Sequence, residues 1–424
     1  MKRAATVAVL ALSLAACSGT SPSHPTKASG GDPKLLTPYG APIPTGSRDL
    51  GGSASAGGSA GGSAGGSSTG GGDAVTDSAK APAAARGLVQ QAAGPLRAGY
   101  VDDNAHFSDY LSFLSDMQKA GVTGDPLDTS ERHVVTVTDA DGKPVLAATV
   151  ELLDGQKVVQ TARTHADGRS LLFPKVAGGG DTVRVTLGSD TVAKPLPAGD
   201  LAVQLSSKRP SAPVRLDLHF LLDTTGSMGD EIDKLRSSLA SIATQLDALP
   251  QKPAVRYGLT VYRDKGDAYV VRSHDFTDLA TFQKELARTT ADGGGDTPED
   301  LDDAFHDAVN GPSWDSDGAL QFVFLVADAS PHLGDQGPTS YAKDVLVAQA
   351  KGIEVVPLAA SGTDDPAELV FRELAEYTLG TFFFLTYGSG DTTDRHVSGY
   401  QAGSLDEQIV GHVTSRLKAY SGGQ

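Results

Sequence analysis

The sequence predicts a multidomain protein: a doubly wound α/β domain on the C-terminal side, a small all-β sandwich before it, and a disordered N-terminal tether. Three observations carry this. From about residue 214 onward, short apolar runs alternate with segments of helical periodicity. Between His133 and about Ser207 the apolar period drops to two. Ahead of both, Gly, Ser, Pro and Thr crowd out apolar side chains. The expected boundaries are 1–16 for a signal peptide, 17–88 for the tether and 89–130 for a short helical packing segment. The sandwich takes 131–208 and the α/β domain 214–421.

Met1-Lys-Arg followed by the apolar run Ala4 to Ala16 has the form of a secretory signal, too short to span a bilayer stably. Cys17, the sole cysteine, follows Leu14-Ala15-Ala16 in a pattern that resembles a bacterial lipobox. The alternative is ordinary cleavage that leaves Cys17 as a free thiol. The resemblance implies lipidation at Cys17, a membrane anchor of acyl chains, and an exported protein of the cell envelope, periplasmic or surface-exposed. With a single cysteine, intrachain disulfides are excluded and stability rests on cores. The 52 Asp and Glu outnumber the 35 Lys and Arg, giving a net charge of −17. That balance argues against nucleic acid, whose phosphates call for a basic patch.

The tether runs from Pro-, Ser- and Thr-rich sequence into Gly51-Gly-Ser-Ala-Ser-Ala-Gly-Gly-Ser repeats as far as Gly72. Such composition buries too little apolar surface to offset its ordering entropy. In the packing segment, Phe107, Leu111 and Leu114 have helical spacing, and Asp102 to Asn104 are placed to cap a helix. Those three side chains also invite a Ca²⁺ reading, but the glycine and distal glutamate of a calcium loop are missing. The period-two region then reads as strands separated by Asp-Gly turns: Val134-Val-Thr-Val-Thr, Ala148-Thr-Val-Glu-Leu-Leu and Thr182-Val-Arg-Val-Thr-Leu. Its order V-x-V-x-D-x-x-G-x-P-V, A-x-V-x-L, T-x-x-D-G resembles the carboxypeptidase regulatory-like, transthyretin-like modules of bacterial surface proteins. That resemblance implies a spacer or accessory role.

The most informative stretch is Arg215-Leu-Asp-Leu-His-Phe-Leu-Leu-Asp-Thr-Thr-Gly-Ser-Met228. Its apolar run is that of a strand covered on both faces, and an amphipathic helix follows with Ile232, Leu235, Leu239 and Ile242 on one side. Asp223, Thr225 and Ser227 stand between them, at the strand end where open α/β sheets bind ligands. Helix capping explains one such residue, not three at alternate positions. A carboxylate and two hydroxyls suit a hard cation, Mg²⁺ first, with Mn²⁺ or Ca²⁺ as alternatives. The D-x-T-G-S spacing resembles the metal-ion-dependent adhesion site of von Willebrand factor type A domains, which are Rossmann-like. Thr225 replaces the more usual serine and keeps the hydroxyl.

The resemblance implies two further positions. The second-loop G-G-x-x-T pattern falls on Asp292-Gly-Gly-Gly-Asp-Thr-Pro-Glu-Asp-Leu301 and places its hydroxyl at Thr297, with Asp296 as a neighbouring candidate. The third-loop aspartate falls on Asp328, which ends Leu320-Gln-Phe-Val-Phe-Leu-Val-Ala. Between the loops, Val255 to Tyr262 reads as a strand closing on Arg263 and Asp264, expected to anchor a loop. Phe276 and Leu279 to Leu286 read as a connecting helix, and Glu299 to Val309 as another with Asp302, Asp303 and Asp307 in solvent. His332 follows Asp328 closely and reads as a loop residue without a ligand role. The remainder alternates helix 340–350, strand 353–358, helix 366–375, strand 381–386 and a final helix from about 404.

By resemblance, the implied function is binding of a protein partner that offers an acidic side chain to the cation. The alternatives are a structural or assembly subunit of an envelope complex, and a metal-assisted hydrolase. The sequence carries no H-E-x-x-H, G-x-S-x-G or P-loop motif, and the expectation is that the protein is not an enzyme.

Overall fold

The computed structural model describes residues 96–211, 215–294, 297–315, 318–335, 337–386, 396–397 and 400–421. The signal, the tether, Cys17 and Asp296 lie outside the described residues. The elements run β1 (Arg97–Val101), α1 (Phe107–Ala120), β2 (His133–Thr138), β3 (Thr149–Asp154), β4 (Lys157–Arg163), β5 (Arg169–Leu172), α2 (Pro174–Ala177), β6 (Thr182–Leu187), β7 (Asp190–Pro195) and β8 (Leu201–Gln204). They continue with β9 (Arg215–Asp223), α3 (Ile232–Asp247), β10 (Ala254–Tyr262), β11 (Val271–Thr277), α4 (Leu279–Leu286), α5 (Leu301–Asn310), β12 (Ala319–Ala327) and α6 (Tyr341–Lys351). Last come β13 (Ile353–Ala359), α7 (Asp365–Tyr377), β14 (Phe382–Thr386), β15 (Gly403–Ser404) and α8 (Leu405–Ser421).

Eight strands form the main sheet in the order β11-β10-β9-β12-β13-β14-β1-β15. The five from β10 to β14 are parallel, as expected for strands joined by helices, and β9 sits among them flanked by β10 and β12. On one face Leu216, Leu218, Phe220 and Leu222 of β9 pack with Leu235, Leu239 and Ile242 of α3 and with Ile409 and Val413 of α8. On the other, Leu221 packs with Phe305 of α5, Val345 of α6 and Phe371 of α7. This two-sided burial is what the continuous apolar runs encode.

Both edges of the sheet depart from the sequence reading. Val271–Thr277, including Phe276, is an antiparallel edge strand on β10 rather than part of the connecting helix, which occupies Leu279–Leu286 alone. Four of its seven residues are exposed, so it lacks the apolar signal of a buried strand. At the other edge, β1 from the packing segment pairs antiparallel with β14, although only a helix was expected there. Its Arg-Ala-Gly-Tyr-Val sequence is too short to show a period.

The packing segment continues as a strap over α7. Asp102 accepts from the Ala105 N–H, as a capping residue does. Asp103 instead makes a bidentate pair with Arg372 at 2.6 and 2.8 Å, with both side chains about 97 % or more buried. Asn104 donates to the carbonyls of Ala375 and Gly380. Arg372 also reaches Glu368 at 3.2 Å and lies 3.6 Å from the Phe113 ring centroid of α1. Arg132 pairs with Glu376 and stacks over Phe107. The Asp-Asp-Asn run is therefore occupied by protein partners, not laid out as a calcium loop.

Two smaller sheets, β5-β2-β8 and β4-β3-β6-β7, share one apolar cluster built from alternate residues. It includes Val135 and Val137 of β2, Val150 and Leu152 of β3, and Val183 and Val185 of β6. Asp139 accepts backbone N–H groups of Asp141, Lys143 and Arg209, so it organises a turn. These sheets do not stand apart from the α/β layers. Gln160 of β4 donates to Gln349 of α6 at 3.1 Å, and Phe173 stacks on Tyr377 of α7 with centroids 4.1 Å apart.

Two outcomes follow from the charges held around α7. Arg372→Ala strands Asp103 and Glu368 in the interior, and urea unfolding is expected to register a loss of about 3–5 kcal/mol. Glu373 is fully buried, accepts from the Tyr341 hydroxyl at 2.8 Å, and is pushed by burial from its ordinary 4.5 up to about 8. A raised folded value stabilises the fold below pH 4.5, and that contribution is lost as pH rises through 8. Glu373→Gln is expected to flatten the decline of melting temperature between about pH 4.5 and 8, measured against wild type.

Candidate metal centre

Parallel register decides where the candidate residues meet. Asp223 is level with Tyr262 on β10, and Leu222 is level with Val326 on β12. The turn after β9, the turn after β10 and Asp328 just beyond β12 therefore emerge on one rim of the sheet. Beyond β9, Thr225 has extended backbone and a short 3₁₀ turn, Gly226–Asp230, precedes α3. That turn brings alternate side chains onto the same side.

Four of the predicted residues form two hydrogen-bonded pairs in contact, Asp223 with Thr225 and Ser227 with Asp328. Asp223 Oδ1 accepts from the Thr225 N–H at 2.8 Å and from Thr225 Oγ1 at 2.7 Å. Thr225 Oγ1 and Ser227 Oγ are 3.1 Å apart, and Ser227 Oγ donates to Asp328 Oδ1 at 3.1 Å. Asp223 and Thr225 are fully buried, Asp328 is nearly so, and Ser227 is exposed. Thr297 lies exposed in the second loop, outside these hydrogen-bonded pairs among the described residues.

Backbone contacts lock the three loops together. Gly226 N–H donates to Gly293 O at 3.0 Å, and Asp292 N–H to Thr224 O at 3.1 Å. A Cβ on Gly226 would stand 2.7 Å from Gly293 O, so glycine is required for that approach. Gly294 N–H donates to Asp267 Oδ2 at 2.8 Å, and Glu299 N–H to Ser330 O at 3.0 Å. Arg263 supports the second loop through Thr290 O at 3.0 Å and Asp292 at 3.6 Å. His332 is engaged by Asp264 at 2.7 Å.

Electrostatically the rim is short of positive charge. Burial, then the neighbouring Asp328, pushes the Asp223 carboxyl up to about 7. Asp328 is raised by burial against the opposing Ser227 hydrogen bond. Asp223 Oδ2 is buried without a close donor, and the buried Tyr262 hydroxyl on the next strand opposes the rise only in part. Sequence reasoning passed over Glu299 and Tyr262. Glu299 is 2 % exposed, and burial together with Asp223, Asp264 and Asp328 raises it to about 8. Its position before a helix reads as an ordinary first-turn acid, which concealed it. The aspartates after it are not simply solvated either. Asp302 accepts from the Tyr341 N–H, Asp303 from Thr339 and Asp307 from Thr260.

All donors on the rim are oxygens, of the kind hard cations take. Among the described residues no three His, Cys, Asp or Glu side chains are grouped as direct metal ligands. Any cation here would draw on the hydroxyls of Thr225 and Ser227 as well as on carboxylates.

Residues 217–386 match the family model described as von Willebrand factor A domain. The chain is 36% identical over 115 residues to von Willebrand factor A domain-containing protein 7 of Rattus norvegicus, and 35% identical over 115 residues to that of Homo sapiens. Those alignments cover 27% of this chain and 12% of each relative, so the chain spans a small part of their length. Among solved structures, the pilus adhesin SpaC from Lactobacillus rhamnosus GG in its open conformation matches with TM-score 0.30 and 13% identity, over 46% of this chain and 30% of that one. Proximal thread matrix protein 1 from the mussel byssus matches with TM-score 0.33 and 13% identity, over 49% and 46%. At those values the structural likenesses carry no functional argument. The family match, the parallel sheet and the loops on its carboxyl rim agree, and the chain contains a von Willebrand factor A domain across residues 217–386.

Proposed function

We propose that the protein is an exported, lipid-anchored component of the cell envelope that binds a protein partner through a divalent cation. Asp223, Thr225, Ser227, Thr297 and Asp328 would hold the ion, Mg²⁺ first among hard cations. The observation that carries this reading is the buried carboxylate pair on the rim: Asp223, fully buried and met only by neutral donors of Thr225 and Tyr262, stands beside a second raised carboxylate, Asp328, and neither has a basic partner among the described residues. Burial of such charge is unfavourable unless something positive is supplied. Von Willebrand factor A domains commonly bind a divalent cation, and the hydroxyl-rich donor set fits one. When bound, the ion would supply an open position attractive to an acidic side chain of the partner. The chain's own residues orient that position: Thr225 holds Asp223, Ser227 holds Asp328, and Gly226 lets the second loop close over the first.

The rim's hydroxyls are fastened to Asp223 and Asp328 in the manner of ion-holding groups, and the reading proposed is binding rather than catalysis. The small sheets between 131 and 208 fit a carboxypeptidase regulatory-like accessory module, and Cys17 fits the lipid anchor.

Metal-stripped protein is expected to melt higher on addition of millimolar Mg²⁺, Mn²⁺ or Ca²⁺. An ion at a hundred times its dissociation constant adds about 2.7 kcal/mol. Asp223→Ala should abolish the gain, and a wild-type melt indifferent to all three ions would refute the cation site. A pull-down from envelope extracts is expected to lose its partner in EDTA. Retention of envelope neighbours in EDTA would favour the assembly-subunit reading. In cell fractionation, Cys17→Ser should move the protein out of the membrane fraction. Unchanged membrane retention would remove the lipid anchor from the proposal.

A further inference from the structure

We infer that Glu299 belongs to the cation site, standing one layer behind the five ligand positions, so that the site is organised by three carboxylates rather than two. This rests on the cation reading above. Glu299 is held between loops: its N–H donates to Ser330 O at 3.0 Å, two residues beyond Asp328. Its side chain turns toward the first loop. A Cβ built on Gly294 would lie 3.0 Å from Glu299 Oε1 and 3.0 Å from Thr225 Cβ, so the two side chains flank the same point. A side chain there would be tight against both, and Gly294 has φ of +60°, which favours glycine.

Glu299 Oε2 is buried without a hydrogen-bond partner among the described residues, and the Asp223 carboxylate of the first loop is near enough to raise Glu299. The nearby cations are directed elsewhere, Arg263 to Asp292 and Lys265 to Asp300 and Asp335. Helix capping does not account for Glu299 either, because the cap of α5 is Asp300, whose side chain accepts from Asp303 N–H. Buried carboxyls grouped on one rim ionise together only with a counter-charge, and a cation would supply it to all of them. Direct ligation by three carboxylates is not laid out among the described residues. Glu299 therefore acts by its charge and by steadying the loops around the ion, as outer residues of metal sites do. It is a positioning residue.

The full chain, stripped with EDTA, is titrated calorimetrically with Mn²⁺ and with Mg²⁺, beside Glu299→Gln and Glu299→Ala. Melting of each protein is also recorded without metal. The isosteric Gln is expected to weaken Mn²⁺ binding by about ten- to a hundredfold. In the same protein the metal-free melting temperature should not fall, since the amide fills the same space as the carboxyl. Weaker binding without a loss of metal-free stability is the signature of a role at the ion. Wild-type affinity in Glu299→Gln overturns the inference and leaves the five-residue site standing. Weaker binding with a lowered metal-free melt assigns Glu299 to loop structure alone, which also overturns it. A wild-type protein that binds neither ion removes the cation reading itself, and this inference with it. Should the Ala variant fail to fold, the Gln variant decides the matter.

Discussion

The parallel register around β9 is the constraint on which the rest of the structure depends. Because β9 pairs in step with β10 and β12 along its length, the turns that leave those strands must emerge together. A slip of one residue would turn Asp223 and the Leu216–Leu222 row to the opposite faces of the sheet. Two apolar cores, one on each face, oppose that slip with Phe220 on one side and Leu221 on the other. The rim chemistry is thus held by packing some distance from it. The loops add only local fastening, through Gly226 to Gly293 and Glu299 to Ser330.

A second constraint lies in α7, which is buried throughout Ala367–Tyr377 although it carries Glu368, Arg372, Glu373 and Glu376. A helix with that many ionisable groups cannot be buried by apolar neighbours alone. The strap from Arg97 to Arg132 supplies Asp103 for Arg372, Arg132 for Glu376, and a turn whose Asp125 N–H donates to the same Tyr341 hydroxyl that binds Glu373. β1 meanwhile covers the edge of β14. The 217–386 segment is therefore finished, in charge and in sheet edge, by residues that precede it by roughly 85 to 120 positions.

How legible this was depends on whether a signal is local. The buried strands and the helices between them follow from apolar runs and 3.6-residue spacing, and their expected spans lie within a few residues of those observed. Asp223, Thr225, Ser227 and Asp328 were legible because strand ends and turn chemistry mark them. β11 was not, because an exposed edge strand of Arg, Ser, His and Asp looks like loop. Asp103 read as a cap, since a sequence shows the cap motif next door but not an arginine 269 positions away. Glu299 read as a first-turn acid for the same reason. Its distinguishing property is burial beside Thr225, which only the folded loops create.

The two settings of buried charge in this protein differ in a way that bears on function. Along α7 the acids have protein partners: Arg372 for Asp103 and Glu368, Arg132 for Glu376, Tyr341 for Glu373. Similarly, Glu354 under α8 is held down at about 2 by Arg416 and His412. The fold thus has the means to pair an interior carboxylate wherever pairing serves stability. On the rim neither Asp223 nor Glu299 has a basic partner among the described residues, and burial raises both groups. Two other buried acids that keep one oxygen unpartnered, Asp300 and Glu376, have Lys265 and Arg132 on the other. Strain of this kind is kept where something outside the chain completes the site. A cation meets that need with oxygen donors already in place, and this contrast is the strongest physical support for the binding reading.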